Sequence, residues 1–419
     1  MMRKTLLIVA LMLFPFWAGV PLYSNTSSDV TNIPLTGGTG VGEGGGGGEE
    51  GGGEGPKSVS FVPVICALSE NSDIVFSLIS FQLDSSTVNT TNQVQYLSSV
   101  DGNDFLTFIN PFEETIVFYN YSSKALSGKL SYSSAAKGEK IQGYTISDRY
   151  LYLYSYKNSI LTKVDLDNWD VIYRQAVYHR SPADYNPVPY ISTSSPIMKY
   201  DDKVILPGFI AGEAKKKIMN RPVLSILDEK SLSERCRVNY PHTYNKGNWG
   251  GGFCFRRPYT TLSKEGKVII SFAASDSLVV YDPTNESLSC FMARSQMIKN
   301  ISPYSTLSRG IFVSADDEYN WYLRTASYEN IIFDPWNNVY YRLFRLPVKS
   351  LPPQGTLNPK PLGVIVLDST FSYKKEYLLP EMKYLTDNAF VSRDGLNIQI
   401  KTDNEDEMVF ALFGHSIFK

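Results

Sequence analysis

The sequence has few of the residues on which metal sites and catalytic triads depend. It contains three histidines and four cysteines in 419 residues, without the C-x-x-C or paired histidine spacing of zinc sites. It also lacks the G-x-S-x-G turn that presents a nucleophilic serine in α/β-hydrolases. We therefore expect no metal and no cofactor, and we assign no catalytic residue.

An excess of charge of either sign is also missing. The 40 lysine and arginine residues nearly balance the 42 aspartate and glutamate residues, and no long basic run is present. Because binding to a polyanion needs a concentrated positive surface, we expect no nucleic-acid partner.

Long apolar runs are scarce too. One run, residues 6–20, follows Arg3 and Lys4 in the pattern of an export signal. It is short of the roughly twenty apolar residues that span a bilayer. We predict an export signal over 1–24 and a location in the periplasm or at the cell surface, with membrane association if the segment stays uncleaved. Because Cys66 is the first cysteine, we do not expect a lipid-anchored N-terminus.

A glycine-rich stretch follows the predicted signal. Residues 37–55, GGTGVGEGGGGGEEGGGEG, hold too few apolar side chains to build a core. Lys57-Ser58 resembles the end of a phosphate-binding loop, but Pro56 stands in place of the glycine and a strand-like sequence follows instead of a helix. We predict a disordered Gly/Glu-rich tether over 25–57, ahead of a folded domain over 58–419.

The folded domain is predicted to be all-β. Short runs rich in Val, Ile, Tyr and Phe alternate with turn residues. In a recurring pattern, an apolar strand ends at Asp or Asn, whose side chain closes a turn before the next strand. Six such positions lie at irregular intervals of roughly fifty residues: Asn120, Asp165, Asp228, Asp282, Asp334 and Asp368. This repeat indicates the blades of a β-propeller.

The repeat favours six blades, with seven still open because the interval before Asp368 is short. We expect the ring to be closed by strands from both chain ends, with residues 74–78 joining 396–400 and 408–413 in the last blade. Cys236 and Cys290 each follow the Asp of their own hairpin by eight residues. They are therefore expected at equivalent strand positions, as small buried side chains rather than as a disulfide.

Five stretches of the chain resemble a family of uncharacterised, exported, six-bladed TolB-like β-propellers from Bacteroidetes. They are FINPFEETIVFYN (108–120), YPHTYNKGNWGG (240–251), VIISFAASDSLVVYD (268–282), NVYYRLFRLP (338–347) and AFVSRDGLNIQI (389–400). The resemblance implies a propeller fold and an envelope location. It implies no activity and no catalytic residues. This chain departs from the lipid-anchored members because it lacks their anchoring cysteine.

Two connections are the best candidates for a ligand site. Residues 242–261 combine aromatic rings, a glycine run and two arginines suited to a carboxylate or phosphate. Residues 178–190 form a proline-rich connection, and connections gather at the ends of a propeller, where ligands usually bind. The candidate ligand-binding residues are His179, Arg180, Tyr185, His242, Trp249, Arg256, Arg257 and Tyr259.

A purely structural role explains the same residues and is favoured. Trp249 would fill the core of a blade-to-blade crossover, and one arginine would pair with an acid of a neighbouring blade. Arg342 and Arg345 would line the central channel only if they lay on an inner strand. The acidic runs 165–170, 314–320 and 403–408 lack the ligand spacing of a calcium loop, so solvated turns explain them.

Three kinds of function remain open at this stage. The favoured one is a non-catalytic module that binds an envelope glycan or protein. The second is a propeller enzyme that acts on a polysaccharide or peptide, which clustered acid and base groups with perturbed ionisation would favour. The third is a structural scaffold, which a broad exposed apolar patch would favour.

Overall fold

Six four- or five-stranded antiparallel sheets make up the described part of the chain. The computed structural model describes residues 74, 76–89, 91, 93–177, 186–209, 218–250, 253–305, 315–353 and 358–418. The predicted export signal and tether lie outside these residues. Successive sheets follow one another along the chain and close into a ring, so the fold is a six-bladed β-propeller, as the repeat predicted.

The strands of each blade run from the ring axis outward. Blade 1 contains β2 (Val94–Leu97), β3 (Phe105–Asn110), β4 (Thr115–Asn120) and β5 (Leu126–Ser131). Blade 2 contains β6 (Gly143–Ser147), β7 (Tyr150–Ser155), β8 (Ile160–Asp165) and β9 (Val171–Ala176). Blade 3 contains β10 (Val188–Pro189), β11 (Met198–Tyr200), β12 (Lys203–Phe209), β13 (Pro222–Asp228) and β14 (Glu234–Asn239).

The second half of the ring follows the same plan. Blade 4 contains β15 (Pro258–Leu262), β16 (Val268–Phe272), β17 (Ser277–Asp282) and β18 (Ser287–Met292). Blade 5 contains β19 (Ser327–Asp334), β20 (Val339–Arg345), β21 (Leu362–Asp368) and β22 (Tyr373–Leu378). Blade 6 contains β23 (Tyr384–Ser392), β24 (Gly395–Ile400), β25 (Glu407–Gly414) and, as its outermost strand, β1 (Ser77–Gln82).

The ring is closed by strands from both ends of the propeller domain, as predicted, although the first strand covers Ser77–Gln82 rather than the predicted 74–78. Strand β1 pairs along its length with β25, with Ser77 opposite Leu412 and Gln82 opposite Glu407. Blades 6 and 1 are further joined by aromatic packing, since the rings of Tyr96 and Phe390 stack with their centroids 5.5 Å apart. Apolar burial on both faces of each sheet supplies most of the driving force for this arrangement.

The six turn positions do not mark one blade each. Asn120, Asp165, Asp228, Asp282 and Asp368 end the third strands of blades 1 to 5, as expected for outer hairpins. Asp334 instead ends the inner strand β19, so blade 5 carries two of the six positions. Blade 6 carries none, because its two outer strands come from opposite chain ends. The predicted number of blades is confirmed, although one hairpin belongs to a different part of its blade.

Helices occupy a small part of the described residues. They are α1 (Ser133–Ala136), α2 (Phe253–Arg256) and α3 (Ala315–Arg324), with 3-10 turns at Ile218–Asn220, His242–Lys246 and His415–Phe418. Helix α3 was not predicted, because ten residues give too short a window for a helical period. Within the described residues, no helix is long and apolar enough to cross a membrane.

The two thiols do occupy equivalent positions, but their predicted burial is wrong. Cys236 lies opposite Ser225 and Cys290 lies opposite Val279, in each case three residues before the Asp that ends the strand. Both thiols belong to the outermost strands of their blades, β14 and β18. An outermost strand has no further strand beside it, so Cys236 is half-buried and Cys290 is exposed.

Candidate functional site

The inner strands present an unpaired backbone edge to the ring axis, and polar side chains bind to that edge. A buried N–H or C=O group without a hydrogen-bond partner lowers the stability of the fold. Each inner edge therefore needs polar side chains that pair with its backbone groups. The Gln93 amide donates to Tyr144 O (2.6 Å) and accepts from Tyr144 N (2.9 Å). Gln95 repeats this two-way pairing at Ile146, with both distances 3.0 Å. Much of the polarity at the axis is therefore structural.

A tight turn at residues 192–195 crosses the axis. Thr193 Oγ1 accepts from Val94 N of blade 1 (3.3 Å) and donates to Asn388 Oδ1 of blade 6 (3.1 Å). On its other side, Ser195 Oγ donates to Pro258 O at the start of blade 4 (2.6 Å). The turn precedes β11 of blade 3, and blades 3 and 6 are opposite in a ring of six. These contacts can coexist only at the axis, so the turn fills it.

Beside this turn, an arginine and an aspartate from non-adjacent blades meet at the axis. Arg257 directly precedes β15 of blade 4, and Asp387 lies within β23 of blade 6. Arg257 donates through Nη2 to Asp387 Oδ1 (2.5 Å) and through Nη1 to Asp387 Oδ2 (3.3 Å). Its Nη2 also lies 3.3 Å from Ser194 Oγ. The guanidinium packs over the Tyr259 ring at 4.5 Å, which contributes a cation–π attraction.

Two β-bulges aim the acidic side chains inward. The pairing of β19 with β20 shifts register between Tyr328 and Ile331, which places Glu329 in the bulge. The pairing of β23 with β24 shifts between Leu385 and Ala389, which places Asp387 in the second bulge. A bulge breaks the alternation of a strand and redirects a side chain. Two neighbouring inner strands therefore both turn a carboxylate toward the axis.

The second carboxylate has its own cation. Arg345 of β20 donates through Nε to both oxygens of Glu329, at 3.2 and 3.3 Å, and through Nη2 to Thr386 Oγ1 (3.2 Å). Lys360 lies close by, with Nζ donating to Thr325 O (2.5 Å) and Ser327 Oγ (2.9 Å). We call Ser194, Arg257, Glu329, Arg345, Lys360 and Asp387, together with Thr260 and Asn330 discussed below, the axial cluster.

Asp387 differs from its neighbours in accessibility and in ionisation. Its side chain is 26% exposed, whereas that of Arg257 is 3% exposed. Burial within the ring raises the pKa of Asp387 to about 6, and Arg257 offsets this only in part. For Arg257, burial disfavours the charge, but the attraction of Asp387 holds its pKa well above the usual value. The pair is thus a fixed cation beside a titratable, reachable carboxyl.

Thr260 Oγ1 on β15 and Asn330 Oδ1 on β19 belong to the buried polar atoms for which the described residues supply no hydrogen-bond partner. Both side chains are almost fully buried. Both residues are held beside the ion pair. Thr260 N donates to Ser194 O (2.6 Å), and Asn330 Nδ2 donates to Thr386 O (2.7 Å), next to Asp387. Such groups are unusual in native cores unless something else binds them.

A family model described as a domain of unknown function, DUF4221, matches residues 71–377. The chain belongs to this family. A crystal structure of a DUF4221 member from Bacteroides vulgatus is 20% identical and superposes with a TM-score of 0.65, over 81% of this chain and 97% of that one. A Bacteroides fragilis protein inferred to be exported is 10% identical, with a TM-score of 0.48 over 83% and 97% of the two chains. No curated protein matches.

The predicted ligand residues fall at different places in the DUF4221 propeller. His179, Arg180 and Tyr185 lie outside the described residues. His242 is exposed at the start of a 3-10 turn. Trp249 is 2% exposed and packs among aromatic rings. Its ring centroid lies 5.7 Å from that of Tyr244 and 5.6 Å from that of Phe255.

The other three predicted residues, Arg256, Arg257 and Tyr259, lie close together in the chain. Arg256 is buried, and its carbonyl accepts from Tyr240 Oη (2.6 Å). Arg257 belongs to the axial cluster, where it pairs with Asp387, and the Tyr259 ring lies beneath its guanidinium. The structural interpretation is right that Trp249 fills the core and that one arginine pairs with an acid of a different blade. The partner is not in the neighbouring blade as predicted, because Arg257 precedes blade 4 and Asp387 lies in blade 6.

Sequence reasoning missed Asp387, Glu329 and Ser194. A signal was present, because Thr386-Asp387-Asn388 interrupts an otherwise apolar strand and Ser192-Thr193-Ser194-Ser195 is an unbroken hydroxyl run. Arg342, on β20, does not line the axis. It stacks over the Tyr328 ring at 3.7 Å and donates to carbonyls of blade 4, which joins two blades.

The acidic runs show no grouping of metal ligands within the described residues. Asp165 pairs with Arg149 at 2.5 Å. The first turn of α3 contains Asp316, Asp317 and Glu318. Carboxylates at this position stabilise a helix, because they lie at the positive end of its dipole. Asp184, the other acid considered from the sequence, lies outside the described residues.

Proposed function

We propose that this DUF4221 protein is an exported, non-catalytic binding module of the cell envelope, and that its ligand contacts the axial cluster. Export is inferred from the charged and apolar pattern of residues 1–24. The observation that carries the binding proposal is the partly exposed carboxyl of Asp387, held by Arg257 beside two buried polar atoms without a partner among the described residues. Inner strands from three blades position these groups, and groups held by strands are fixed precisely enough to recognise a ligand.

The approach to the axial cluster is from the end of the ring where the inner strands begin. The four strands of a blade alternate in direction, so each outermost strand ends at the face where the next inner strand starts. Arg257 immediately precedes β15, and Ser194 precedes β11. The turn at 192–195 fills the axis beside them. We infer a closed basin at this face rather than an open channel.

The test is ligand binding by the full chain to an array of envelope glycans and peptides. Asp387→Asn is compared with Asp104→Asn, which removes a carboxylate of another inter-blade ion pair, 2.8 Å from Arg393, away from the axial cluster. A ligand lost with Asp387→Asn and kept with Asp104→Asn supports the proposal. A ligand that binds both variants equally well places the site elsewhere.

A hydrolase or lyase is the second candidate, and one observation favours it. A reachable carboxyl whose pKa is raised to about 6 by burial resembles a general acid. The usual second carboxylate of a glycosidase is not available from Glu329, because Arg345 binds both of its oxygens. Mass spectrometry of the bound array ligands decides this point. Cleavage products that disappear with Asp387→Asn would favour the enzyme.

A further inference from the structure

We infer that the outermost strand of blade 4, β18, is an interface between two copies of this chain, which pair edge to edge about a two-fold axis. The strand lies at the rim of the ring, and no strand of the described residues pairs with its outer edge. Such an edge presents unpaired N–H and C=O groups, which can bind another strand. A second copy brings the same strand, so one surface serves both partners.

The edge of β18 lacks the protection that most of the other outermost strands carry. Charged side chains on an edge strand discourage pairing with another chain. The outermost strands of blades 1, 2, 3 and 5 each contain such cations, namely Lys129, Arg174, Arg235, Arg237, Lys374 and Lys375. Strand β1 of blade 6 is uncharged, but only two of its six residues are exposed. Strand β18, SLSCFM, is uncharged and has five of its six residues exposed.

The direction of the backbone groups determines the register in which two copies pair. Ala293 N donates to Asp276 O (2.9 Å) at the end of the ladder between β17 and β18. Because backbone groups in an antiparallel ladder point to alternate sides, those of Leu288, Cys290 and Met292 point away from β17. A two-fold axis through Cys290 sets Leu288 opposite Met292 of the second copy. Each of these opposite pairs, and the pair of Cys290 residues, then exchanges two hydrogen bonds.

The same register brings exposed apolar side chains together. Successive side chains of a strand alternate between its faces, so Leu288, Cys290 and Met292 lie on one face. All three are exposed. In the pair, Leu288 packs beside Met292 of the second copy on both sides of the axis, and such cross-strand contacts stabilise a sheet.

The residues that flank β18 have complementary charges in this register. Glu286 and Arg294 lie at equal distances along the chain from the centre of the strand, so each faces the other across the two-fold axis. Within one copy, Glu286 lies 2.9 Å from Arg237 and Arg294 lies 3.9 Å from Asp276, yet both side chains remain exposed. Opposite charges across strands stabilise pairing. A second copy therefore matches the ends of β18 as well as its centre, which favours it over an unrelated peptide.

Sedimentation velocity of the full chain from 2 to 200 µM measures the oligomeric state. We expect a reversible dimer at the upper concentrations, because one strand pair is small beside the roughly 1,200–2,000 Å² of a stable interface. Cys290→Lys sets two lysines opposite each other and should abolish the dimer. The matched control, Ile172→Lys, adds the same charge at an exposed position of the outermost strand of blade 2 and should leave the dimer unchanged. Circular dichroism checks that both variants are folded.

Charge reversal tests the register. R294E should weaken dimerisation about tenfold, because it sets two glutamates opposite each other at both ends of the strand pair. The double variant E286R/R294E should restore wild-type affinity, since opposite charges again face each other. Any repulsion within one copy is present in monomer and dimer alike. A short bismaleimide crosslinker should also join Cys290 to its counterpart in the second copy, as identified by peptide mass spectrometry.

Each contrary outcome refutes a distinct part of the inference. A wild-type chain that is monomeric at 200 µM refutes the dimer. If a peptide of the array then binds and is lost with Cys290→Lys, β18 receives a different polypeptide instead of a second copy. A dimer that persists in Cys290→Lys has its interface elsewhere. A dimer that is lost in Cys290→Lys, but is neither rescued in E286R/R294E nor crosslinked at Cys290, refutes the register.

Discussion

Replacing Arg257 by methionine is expected to destabilise the fold by an amount that depends on pH. The wild-type pKa of Asp387 is about 6 against 3.8 for the free side chain, so its ionised form is disfavoured by about 3 kcal/mol even with Arg257 present. Without Arg257 that pKa rises further. Because the folded-state pKa is raised, stability falls as pH increases through it. The penalty for R257M should therefore grow by about 2–3 kcal/mol between pH 6 and pH 8.

Replacing the other member of the pair, Asp387, by asparagine is expected to change stability with a different pH dependence. In D387N the buried guanidinium of Arg257 keeps its charge at every pH in this range. The neutral amide resembles the protonated carboxyl, which the raised pKa of Asp387 identifies as the form that the fold favours. D387N should therefore lose less stability than R257M at pH 8. Above pH 6 the wild-type carboxyl is already ionised, so the difference between D387N and wild type should stay flat up to pH 8.

Removing both charges is the matched control. Apolar replacement of a buried ion pair is often neutral or stabilising by about 1–4 kcal/mol, so R257M/D387L should be more stable than R257M at pH 8, because it also removes the unpaired carboxyl. Urea denaturation followed by circular dichroism at pH 6, 7 and 8 measures all three variants. The reasoning is refuted if R257M has the same penalty at each pH, or if the double variant is as unstable as R257M at pH 8.

Three further outcomes follow from other parts of the ring. R342M should cost about 3–5 kcal/mol in urea unfolding, because it removes hydrogen bonds to three buried carbonyls at once; a loss below about 1 kcal/mol would contradict its role in joining blades 4 and 5. Burial opposes the charge of His415, but Asp334 at 3.1 Å raises its pKa. The stability that this pair contributes is therefore present below the unfolded-state pKa of about 6.5 and lost as pH rises through the raised value, so the destabilisation by H415Q should shrink from pH 6 to pH 9. Maleimide should modify Cys290 before Cys236, as measured by peptide mass spectrometry, since Cys290 is exposed; equal rates would argue against the outer position of β18.

The fold could be predicted because its determinants are local. A strand that ends at Asp or Asn carries its own turn signal, and the side chain of Asp228 does accept from the backbone two and three residues on. The same locality explains the misplaced hairpin. Asp334 closes an inner turn by the same chemistry, accepting from Trp336 N and Asn337 N. The turn signal identifies a hairpin but carries no information about its distance from the axis.

The axial cluster could not be predicted in this way because its contacts join distant parts of the chain. Arg257 and Asp387 are 130 residues apart, and Thr193 and Asn388 are 195 apart. The predicted ligand residues all belong to predicted connecting segments, where function usually lies. In this propeller the two carboxylates of the axial cluster lie in bulges of inner strands. In the sequence, a bulge appears only as a break in the alternation of a strand.

The polar interruptions in these strands have a common physical explanation. An inner strand that was apolar throughout would leave its axis-facing backbone edge unpaired, so each strand needs amide or hydroxyl side chains from elsewhere in the ring. Gln93, Gln95 and Thr193 meet that need by binding backbone groups of other blades. Asn330 also binds a backbone carbonyl, that of Thr386, but its Oδ1 has no partner among the described residues, and neither has Thr260 Oγ1. The requirement that fills the axis with polar groups thus accounts for one end of the Asn330 amide and leaves the other end unexplained by the described fold.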